Sequence, residues 1–519
     1  MLEFGNFLMF GLQLMSALFI FIIGVGLMVV IGMYIADISQ TKQAIRRNYP
    51  VIGRFRYLFE KQGEFFRQYF FAMDREEMPF NRAERSWVYR AAKDVDRMIA
   101  FGSTRNLDPP GTILFMNCAF PTLEEDAVAP TEVVIGPACR QPYATRSIFN
   151  ISGMSYGAIS GLAVLALSRG AAQAGCWMNT GEGGLSSYHL KGGGDLVYQI
   201  GTAKYGVRDA QGQLCDENLK EVAAHPQVKM FEIKMSQGAK PGKGGILPGC
   251  KVSEEIAAIR GIPVGEPSIS PNGHPDIRSP SDLLDMIERI RRVTGKPVGF
   301  KAVIGDTVWL QKLLDEVATR GEESAPDFIT VDGADGGTGA APQPLMDYVG
   351  LTLKESLPLV VDLLIERNLK HRVKVIASGK LIVPSKVAWA LSVGADFITS
   401  ARGFMFSLGC IQAMQCNKDT CPTGITTHNP RLQQGLDPNH KSQRVANYQK
   451  YISYGVGLIA HSCGVNEPRK LRRHHVKIVS GNGLSIALDK LHPLPQGSGH
   501  VTRPDQVIAS SADNPPQRL

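Results

Sequence analysis

Eight short apolar runs between residues 145 and 410 constrain the fold of this chain more than any other feature. Each run ends in glycine, serine or a charged residue, and stretches with helical spacing lie between the runs. The runs are SIFNISG (147–153), GCWMNTG (175–181), KMFEIKM (229–235), PSISPNG (267–273), PVGFKAV (297–303), DFITVDG (327–333), VKVIASG (373–379) and ADFITSA (395–401). Because strands that alternate with helices form parallel sheets, eight such units predict an α/β fold, a closed (β/α)8 TIM barrel.

A long apolar run near the amino terminus lies outside this pattern. Residues 7–36 contain no charged side chain, and a helix needs about 20 apolar residues to cross a bilayer. A secretory signal would need a positive start and a cleavage site, whereas Glu3 is the single charge before the run. Core helices are rarely so uniformly apolar. We therefore predict a transmembrane anchor over residues 1–36.

The residues after this run are basic and have helical spacing. The cations are Lys42, Arg46, Arg47, Arg54, Arg56, Lys61 and Arg67, against fewer acids. By the positive-inside tendency, this excess predicts a single-pass protein of the cell membrane with its catalytic domain in the cytoplasm. We interpret residues 37–105 as a short basic helical segment, whose aromatic stripe in FRYLFEKQGEFF packs against the membrane or the main domain.

Composition limits the partners and the compartment. The net charge of +8 is modest for 519 residues, and no long basic stripe with interleaved aromatics suggests nucleic acid. Nine scattered cysteines indicate a reducing compartment, in which clustered cysteines favour metal or redox chemistry. We assign residues 106–475 to the barrel domain. Residues 476–519, where glycine, proline, serine and asparagine accumulate, are predicted to form a flexible tail.

The predicted strand ends share a glycine-rich, cationic character. In such a barrel the active site lies at the carboxyl ends of the strands. The stretches there are SGMSYG (152–157), NTGEGG (179–184), IKMSQGAKPGKGG (233–245), VDGADGGTGAAP (331–342), ASGKL (377–381) and SARGF (400–404). Glycine lets a flat ring or a phosphate approach the backbone closely. Lysines at several ends make the rim electropositive, which suits an anionic cofactor and an anionic substrate.

Flavin mononucleotide (FMN) fits these features. Barrels commonly hold a phosphate at their last two strands, where Gly379, Ala401 and Arg402 lie. The flavin ring would cross the barrel mouth, with Lys234 as the cation that stabilises its reduced form. The predicted cofactor-binding residues are Ser152, Gly153, Met154, Ser155, Asn179, Thr180, Lys234, Lys301, Asp332, Gly336, Gly337, Gly379, Ala401 and Arg402.

Three cysteines follow the last predicted strand in GCIQAMQCNKDTCPTG. Cys410, Cys416 and Cys421, with a proline directly after the third, resemble an iron–sulfur ligand set, although their spacing differs from common ferredoxin runs. Zinc is an alternative, but no fourth cysteine or histidine lies at finger spacing. Three buried structural cysteines are a further alternative. Cys463 is a possible fourth ligand of the cluster. His189 could be catalytic, but we interpret it first as a structural histidine.

These motifs together resemble the FMN-binding central domain of glutamate synthase. ISGMSYGAIS, NTGEGG, KMSQGAKPGKGG, DGADGGTGA and the three cysteines all look like motifs of that family over about residues 145–430. The resemblance implies FMN in the barrel and a [3Fe–4S] cluster on Cys410, Cys416 and Cys421. It also implies synthesis of L-glutamate by reduction of 2-iminoglutarate, formed from 2-oxoglutarate and ammonia. Glu182 would lie where ammonia enters, and Lys234, Gln237 and Lys240 around flavin and substrate.

The departures from the family pattern shape the expected partners. A membrane anchor stands where a full glutamate synthase has its glutamine-hydrolysing domain, and no long carboxyl-terminal β-helix follows, as in shorter stand-alone relatives. We therefore expect external or glutamine-derived ammonia, and electrons from a protein such as ferredoxin or a membrane redox partner, since no G-x-G-x-x-G opens a helix after a strand. The alternatives are a flavin oxidoreductase of another amino or hydroxy acid, and a non-enzymatic redox or scaffold subunit of a membrane complex.

Overall fold

The computed structural model describes residues 2–66, 70–95 and 98–495. Residues up to Ala83 form one compact unit, and residues from Glu84 onward form a second, larger one. The prediction instead placed the start of the main domain at residue 106. The earlier start arises because the helix Arg82–Lys93 is amphipathic and buries Val88, Ala91 and Ala92.

Within its described residues, the amino-terminal unit contains the helices α1 (Leu2–Ser39), α2 (Ala44–Asn48) and α3 (Gly53–Phe66). Within α1, Met9–Ser39 is long and apolar enough to cross a membrane and is the one such helix among the described residues. A signal sequence near an amino terminus has the same length and composition. This helix contains most of the run that predicted the anchor.

The second unit is built on a closed barrel of eight parallel strands, which confirms the predicted fold. The strands are β1 (Phe149–Ile151), β2 (Trp177–Asn179), β3 (Asp195–Ile200), β4 (Val228–Lys234), β5 (Val298–Ala302), β6 (Phe328–Asp332), β7 (Lys374–Ser378) and β8 (Phe397–Ser400). Each strand pairs with the next along the chain. The barrel closes where β8 pairs with β1, with Thr399 opposite Asn150.

One of the eight predicted strands is wrong, and one true strand was missed. PSISPNG contributes only the two-residue strand Ser268–Ile269, which pairs antiparallel with Ile246–Leu247 outside the barrel. Prolines at both of its sides lack the N–H that a longer ladder requires. The missed strand is β3, whose polar residues Asp195 and Gln199 interrupt its apolar pattern.

Helices surround the barrel and connect its strands. The helix between β1 and β2, Gly161–Ala174, is capped by Ser160, whose side chain accepts a hydrogen bond from the N–H of Ala163. The other helices are Ser187–Gly192, Asp216–Ala224, Glu254–Arg260, Pro280–Thr294, Val308–Arg320, Gln343–Tyr348, Leu353–Glu366, Pro384–Val393, Arg402–Leu408, Pro430–Gln433, Pro438–Ser462 and Leu488–Leu491.

The amino-terminal end of the barrel is closed by an antiparallel hairpin, Val133–Ile135 with Tyr143–Thr145. Its side chains join one buried cluster with residues that begin the barrel strands. The cluster contains Ile135, Tyr143, Trp177, Val197, Met230, Phe328, Ile376 and Phe397. This end of the barrel is therefore an apolar core, which leaves the carboxyl end for a site.

Part of the predicted flexible tail is ordered. Val476–Val479 pairs with Ile113–Phe115 on one side and with Ser485–Ala487 on the other. The alternation in VKIV was hidden by the polar residues that follow it, and pairing with a strand distant in sequence supplies the missing contacts. The rest of the predicted tail, residues 496–519, lies outside the described residues.

Candidate active site

A cavity opens at the carboxyl ends of the barrel strands, and its walls are strongly cationic. The cationic side chains that line it are Lys234, Lys240, Lys251, Arg260 and Arg402, and one carboxylate, Glu182, lines it as well. The glycine-rich loops after β1, β4 and β6 supply much of the remaining wall. The surplus of positive charge makes this cavity an attractive site for anions.

Glu182, Lys234 and Gln237 form a connected polar group at this cavity. Nζ of Lys234 lies 3.0 Å from Oε1 of Glu182 and also donates to the side-chain oxygen of Gln237. Gln237 in turn donates to Oγ1 of Thr338 at 2.9 Å. Burial alone would raise the pKa of Glu182, but the charge and hydrogen bond of Lys234 hold that pKa below its usual value. Glu182 is therefore an ionised carboxylate.

Two glycines make room for this carboxylate. A Cβ on Gly245 would come within 2.2 Å of Oε1 of Glu182, and a Cβ on Gly201 within 2.6 Å of its Cβ. Any larger residue at either position would displace the Glu182 side chain. The sequence thus fixes Glu182 beside Lys234 through glycines in two different loops.

Lys240 is a further lysine of the cavity wall. Its side chain is buried, and burial, reinforced by the nearby charge of Lys234, lowers the pKa of Lys240 to about 8. Its protonation state therefore changes close to physiological pH. Such a group holds an anion below its pKa and releases a proton above it.

A second polar network fills the barrel interior around Glu232, which sequence reasoning did not single out. Its carboxylate accepts hydrogen bonds from Asn179 at 2.8 Å, Gln199 at 2.7 Å and Thr330 at 2.6 Å. Lys301 lies 3.1 Å from Oδ2 of Asp332. Every one of these side chains is enclosed by the barrel, so the network rigidifies the strand ends on which the cavity rests.

The ion pair between Lys301 and Asp332, near the ends of β5 and β6, joins this network to the mouth of the barrel. Burial lowers the pKa of Lys301, but the charges of Asp332 and Glu232 outweigh burial and raise it above its usual value. Asp332 also accepts a hydrogen bond of 2.8 Å from the backbone N–H of Gly238, in the loop that carries Gln237 and Lys240. The pair therefore fixes the position of that loop.

The structure divides the predicted cofactor-binding residues into three groups. Those that line the cavity are Gly153, Met154, Ser155, Lys234, Gly337, Ala401 and Arg402. Those that line a smaller cavity among the barrel side chains are Ser152, Asn179 and Lys301. Those that line neither cavity are Thr180, Asp332, Gly336 and Gly379. Seven of the fourteen predicted residues therefore line the cavity at the barrel mouth.

The backbone of the mouth is shaped for a flat, anionic group. A Cβ on Gly153 would lie 2.8 Å from the side-chain oxygen of Asn179, and one on Gly337 would lie 3.1 Å from Nε of Arg402. A Cβ at either position would crowd a neighbouring side chain, so glycine lets Asn179 and Arg402 pack directly against the backbone of the mouth. A guanidinium beside glycine-rich backbone is the donor chemistry that a phosphate requires, so Arg402 fits the predicted cofactor.

The cysteine loop is attached to the wall of the same cavity. Cys416 lines the cavity, and its Sγ lies 3.6 Å from Nη1 of Arg402. The ammonium group of Lys251 donates to the backbone oxygens of Cys416 at 2.9 Å and Thr426 at 2.6 Å. Tyr89 donates to the backbone oxygen of Cys410 at 2.6 Å. The buried Lys251, the half-buried Arg402 and the phenol of Tyr89 therefore hold the loop against the mouth.

The thiols of this loop have environments suited to ligation. Burial favours the neutral thiol of Cys421, but hydrogen bonds from Thr423 and Thr426 lower its pKa below the usual value. Burial raises the pKa of Cys410. Among the described residues, no three histidine, cysteine or acidic side chains converge on a single metal ion. A multi-iron cluster takes one thiolate at each iron, and the three thiols of this loop supply that donor chemistry.

Two other residues singled out in the sequence have structural surroundings. The thiol of Cys463 lies near Cys118, and burial, followed by the charge of Cys118, raises its pKa to about 11. Nothing at that position links it to the cysteine loop as a fourth ligand. His189 caps a helix through Ser186, and burial lowers its pKa to about 3, which agrees with the structural interpretation.

The polar residues of the cavity that sequence reasoning missed include Gln199, Lys251 and Arg260. Gln199 is the penultimate residue of the strand that was not recognised. Lys251 and Arg260 lie in the long segment between β4 and the helix Pro280–Thr294, where no motif marks them. Arg260 donates to the backbone oxygen of Tyr156 at 3.0 Å.

Comparisons with known proteins agree with this site. Residues 117–466 match the family model described as the conserved region in glutamate synthase. The chain is 41% identical over 517 residues to the glutamate synthase large subunit-like protein YerD of Bacillus subtilis (strain 168), covering 92% of this chain and 98% of that protein. It is 34% identical over 335 residues to the archaeal-type glutamate synthase [NADPH] of Thermotoga sp. (strain RQ2).

The coverage differs between these relatives. The alignment with the Thermotoga protein covers 64% of this chain and 62% of that relative, and the archaeal glutamate synthase [NADPH] of Methanocaldococcus jannaschii, 34% identical, gives the same shares. The Bacillus relative is matched over nearly its whole length. These matches confirm the predicted resemblance and an oxidoreductase acting on CH–NH2 groups, and they support FMN as the cofactor. The chain belongs to the glutamate synthase family.

Proposed function

We propose that this chain makes L-glutamate by reductive amination of 2-oxoglutarate through 2-iminoglutarate, as an FMN and [3Fe–4S] enzyme. Ammonia comes from outside the chain, either free or released from glutamine by another protein. Electrons come from a partner such as a ferredoxin or a membrane redox protein. Membership of the glutamate synthase family and the cationic cavity at the barrel mouth support this proposal.

The observation that carries the proposal is the charge of the cavity. Five cationic side chains and one carboxylate line it, so a ligand with two negative charges compensates part of the surplus. 2-Oxoglutarate is a dicarboxylate of this kind, and buried lysines and arginines bind carboxylates through charge-assisted hydrogen bonds. A neutral or singly charged substrate would leave more of these cations desolvated and unpaired, which is costly.

The reaction has a simple balance. Condensation of the 2-oxo group with ammonia forms a C=N bond and expels water, and two electrons with two protons then reduce that bond to the amine of glutamate. When bound, FMN supplies the hydride and an iron–sulfur cluster supplies single electrons from the donor. The protein orients the substrate and neutralises its charge as the imine is reduced.

Each residue of the polar group at the mouth has a role in this scheme. The ionised carboxylate of Glu182 attracts ammonium and accepts its hydrogen bonds. Lys234, 3.0 Å from Glu182, provides the positive charge that would stabilise the reduced form of the flavin. Lys240, whose pKa is about 8, binds a substrate carboxylate while protonated. Gln237 holds the lysine in place through its hydrogen bond.

The residues proposed to hold the cofactors are the ones predicted from the sequence. Gly153, Met154, Ser155 and Gly337 would face the FMN ring, and Ala401 with Arg402 its phosphate. Cys410, Cys416 and Cys421 would bind the cluster. The contact between Arg402 and Cys416, at 3.6 Å, brings the two groups of residues together, as efficient electron transfer between cofactors requires.

The membrane anchor completes the proposal. Met9–Ser39 would span the cell membrane once, and the basic residues after it would keep the barrel on the cytoplasmic side. This location gives access both to soluble 2-oxoglutarate and to electron donors of the membrane.

The experiment that tests the proposal begins with anaerobic purification of the full chain in mild detergent. We expect one FMN and, from the cluster formula, about three irons per chain. L-Glutamate should then form from 2-oxoglutarate and ammonium in the presence of a chemical reductant such as dithionite with methyl viologen. A matched reaction without ammonium is the control. Bound cofactors without glutamate formation would exclude 2-oxoglutarate amination and favour a different amino or hydroxy acid.

A further inference from the structure

Helix α3 has an apolar face that stays exposed to solvent. Phe55 is 54% exposed, Leu58 46% and Phe59 64%. Since an α-helix turns about 100° per residue, these three side chains lie within a sector of about 100°. The rings of Phe55 and Phe59 stack at 6.2 Å between their centroids, so they form one continuous surface. An exposed surface of this size and order indicates an interaction site.

Charges on α3 are arranged around this face. Arg56 and Lys61 flank this sector on its two sides and Gln62 lies within it, while Tyr57 and Glu60 lie on the opposite side of the helix. Arg56 and Lys61 are exposed. Long cationic side chains at such borders can extend toward phosphate groups while their stems cover apolar surface. This arrangement is typical of helices that lie in the plane of a bilayer surface.

A buried carboxylate connects α3 to the end of the apolar helix α1. Asp37 is completely buried and forms ion pairs with Arg46 at 2.6 Å and with Arg54, in the first turn of α3, at 2.8 Å. It also accepts a hydrogen bond of 3.0 Å from the N–H of Val51. The beginning of α3 is therefore fixed where α1 ends.

The length of α1 places this junction at headgroup level. The apolar stretch Met9–Ser39 has 31 residues, which at 1.5 Å per residue is about 46 Å. The hydrocarbon core of a bilayer is about 30 Å thick, and about 40–45 Å with its headgroups. Asp37 and the first turn of α3 would therefore emerge in the headgroup layer.

The charge of the segment identifies the occupant. Residues 37–61 contain six lysines and arginines and two acids, Asp37 and Glu60. Asp37 pairs with Arg46 and Arg54, and the remaining cations are Lys42, Arg47, Arg56 and Lys61. The cytoplasmic leaflet carries anionic lipids, which attract basic segments next to a spanning helix. An apolar face bordered by cations and continuous with α1 matches the boundary between acyl chains and anionic headgroups better than the polar surface of a protein.

We propose that α3 lies in the membrane surface, with Phe55, Leu58 and Phe59 at the acyl boundary and Arg56 and Lys61 at anionic headgroups. The proposal rests on the proposed spanning helix and adds a second contact, which fixes how the chain leaves the membrane. Its ligand is the anionic bilayer surface. The glutamate-forming site does not depend on it.

The test uses the full chain in nanodiscs that contain phosphatidylcholine and phosphatidylglycerol with brominated acyl chains, which quench nearby tryptophan. Phe59→Trp places a tryptophan on the apolar face, and Tyr57→Trp is the matched control on the opposite face. Wild-type fluorescence, from four native tryptophans, is subtracted. We expect the added emission of Phe59→Trp to be quenched at least about twofold more than that of Tyr57→Trp. Equal quenching of the two would overturn the proposal.

A second comparison tests the charges. Replacing phosphatidylglycerol by phosphatidylcholine should reduce the quenching of Phe59→Trp, and adding Arg56→Gln and Lys61→Gln should abolish that lipid dependence. Quenching that does not depend on headgroup charge in either protein would contradict the role of the cations.

Separate readouts distinguish the failures. Release of the chain by alkaline carbonate would contradict the spanning helix, and absence of glutamate formation would contradict the proposed reaction. The chain could instead stay in the membrane after carbonate treatment and make glutamate, while the tryptophan of Phe59→Trp is shielded from solvent but not quenched by lipid. This result would overturn the surface helix alone and show that protein covers this face.

Discussion

The two ends of the barrel are built from the same eight strands but from opposite kinds of side chain. The amino-terminal end is an apolar cluster that a hairpin covers, with Trp177, Phe328 and Phe397 at its centre. The carboxyl-terminal end is an open cavity lined by glycines, five cations and one carboxylate. The strands thus begin in a core and end in a site.

The difference separates stability from function within one domain. Apolar burial at the closed end contributes free energy that does not depend on a ligand. At the open end, cations are held close together without enough anions, an arrangement that costs stability and is compensated when an anionic ligand binds. Substitutions at the closed end should therefore change unfolding, and those at the open end should change binding and catalysis.

Phe397→Ala tests the closed end and should have the largest energetic effect. Phe397 is fully buried at the start of β8 and stacks edge to face on Trp177. We expect the free energy of unfolding to fall by about 3–5 kcal/mol, because a large cavity is left behind. Denaturant unfolding measures this loss, with Leu359→Ala, a partly exposed residue, as the control. A changed KM with unchanged stability would contradict the separation.

Lys234→Gln tests the open end. The variant keeps a hydrogen-bond donor for Glu182 but removes the charge. We expect kcat/KM for 2-oxoglutarate to fall about 100-fold, or about 2.7 kcal/mol, while the melting temperature changes little. Steady-state kinetics and thermal unfolding of the same preparation give both quantities, and Lys234→Arg should recover part of the activity. A large loss of stability with normal kinetics would assign Lys234 to the fold instead.

Glu182→Gln separates the two substrates at the open end. Loss of the carboxylate removes the attraction for ammonium and leaves the cavity more positive. We expect the KM for ammonium to rise about tenfold, or about 1.4 kcal/mol, while the KM for 2-oxoglutarate stays equal or falls. Initial rates at varied concentrations of each substrate decide this. A rise in the KM for 2-oxoglutarate alone would show that Glu182 contacts 2-oxoglutarate rather than ammonium, which would contradict this role.

Lys240 gives the smallest predicted effect and a dependence on pH. Its pKa of about 8 means that it loses its positive charge above that pH, so the attraction for a substrate carboxylate weakens. We expect the KM for 2-oxoglutarate to rise severalfold between about pH 8 and 9. Lys240→Arg, which remains charged, should remove this rise. A pH profile that is the same in both proteins would contradict the role of Lys240.

The closed end was more predictable from sequence than the open end. Short runs rich in Val, Ile and Phe mark strands locally, and seven of the eight predicted runs are barrel strands. β3 was missed because Asp195 and Gln199 break its apolar pattern, and their burial depends on partners elsewhere: Tyr143 donates to Asp195, and Gln199 donates to Glu232. Such partners are not visible in a local window.

At the open end, motifs located the glycine loops and Lys234 but not the full set of charges. Arg260 and Lys251 are buried by contacts with the loop after β1 and with the cysteine loop, both distant in sequence. Nothing in their neighbourhood distinguishes them from surface cations. Charge that is desolvated by tertiary contacts is therefore the part of a site that sequence reasoning recovers least well.

The central claim is that the cations of the open end select a dicarboxylate, and substrate discrimination tests it most directly. The measurement compares kcat/KM for 2-oxoglutarate with that for 2-oxovalerate, which has the same chain length but lacks the second carboxylate. We predict a preference of at least about 100-fold for 2-oxoglutarate, because the monocarboxylate leaves a buried cation unpaired. Equal values for the two acids would contradict the claim.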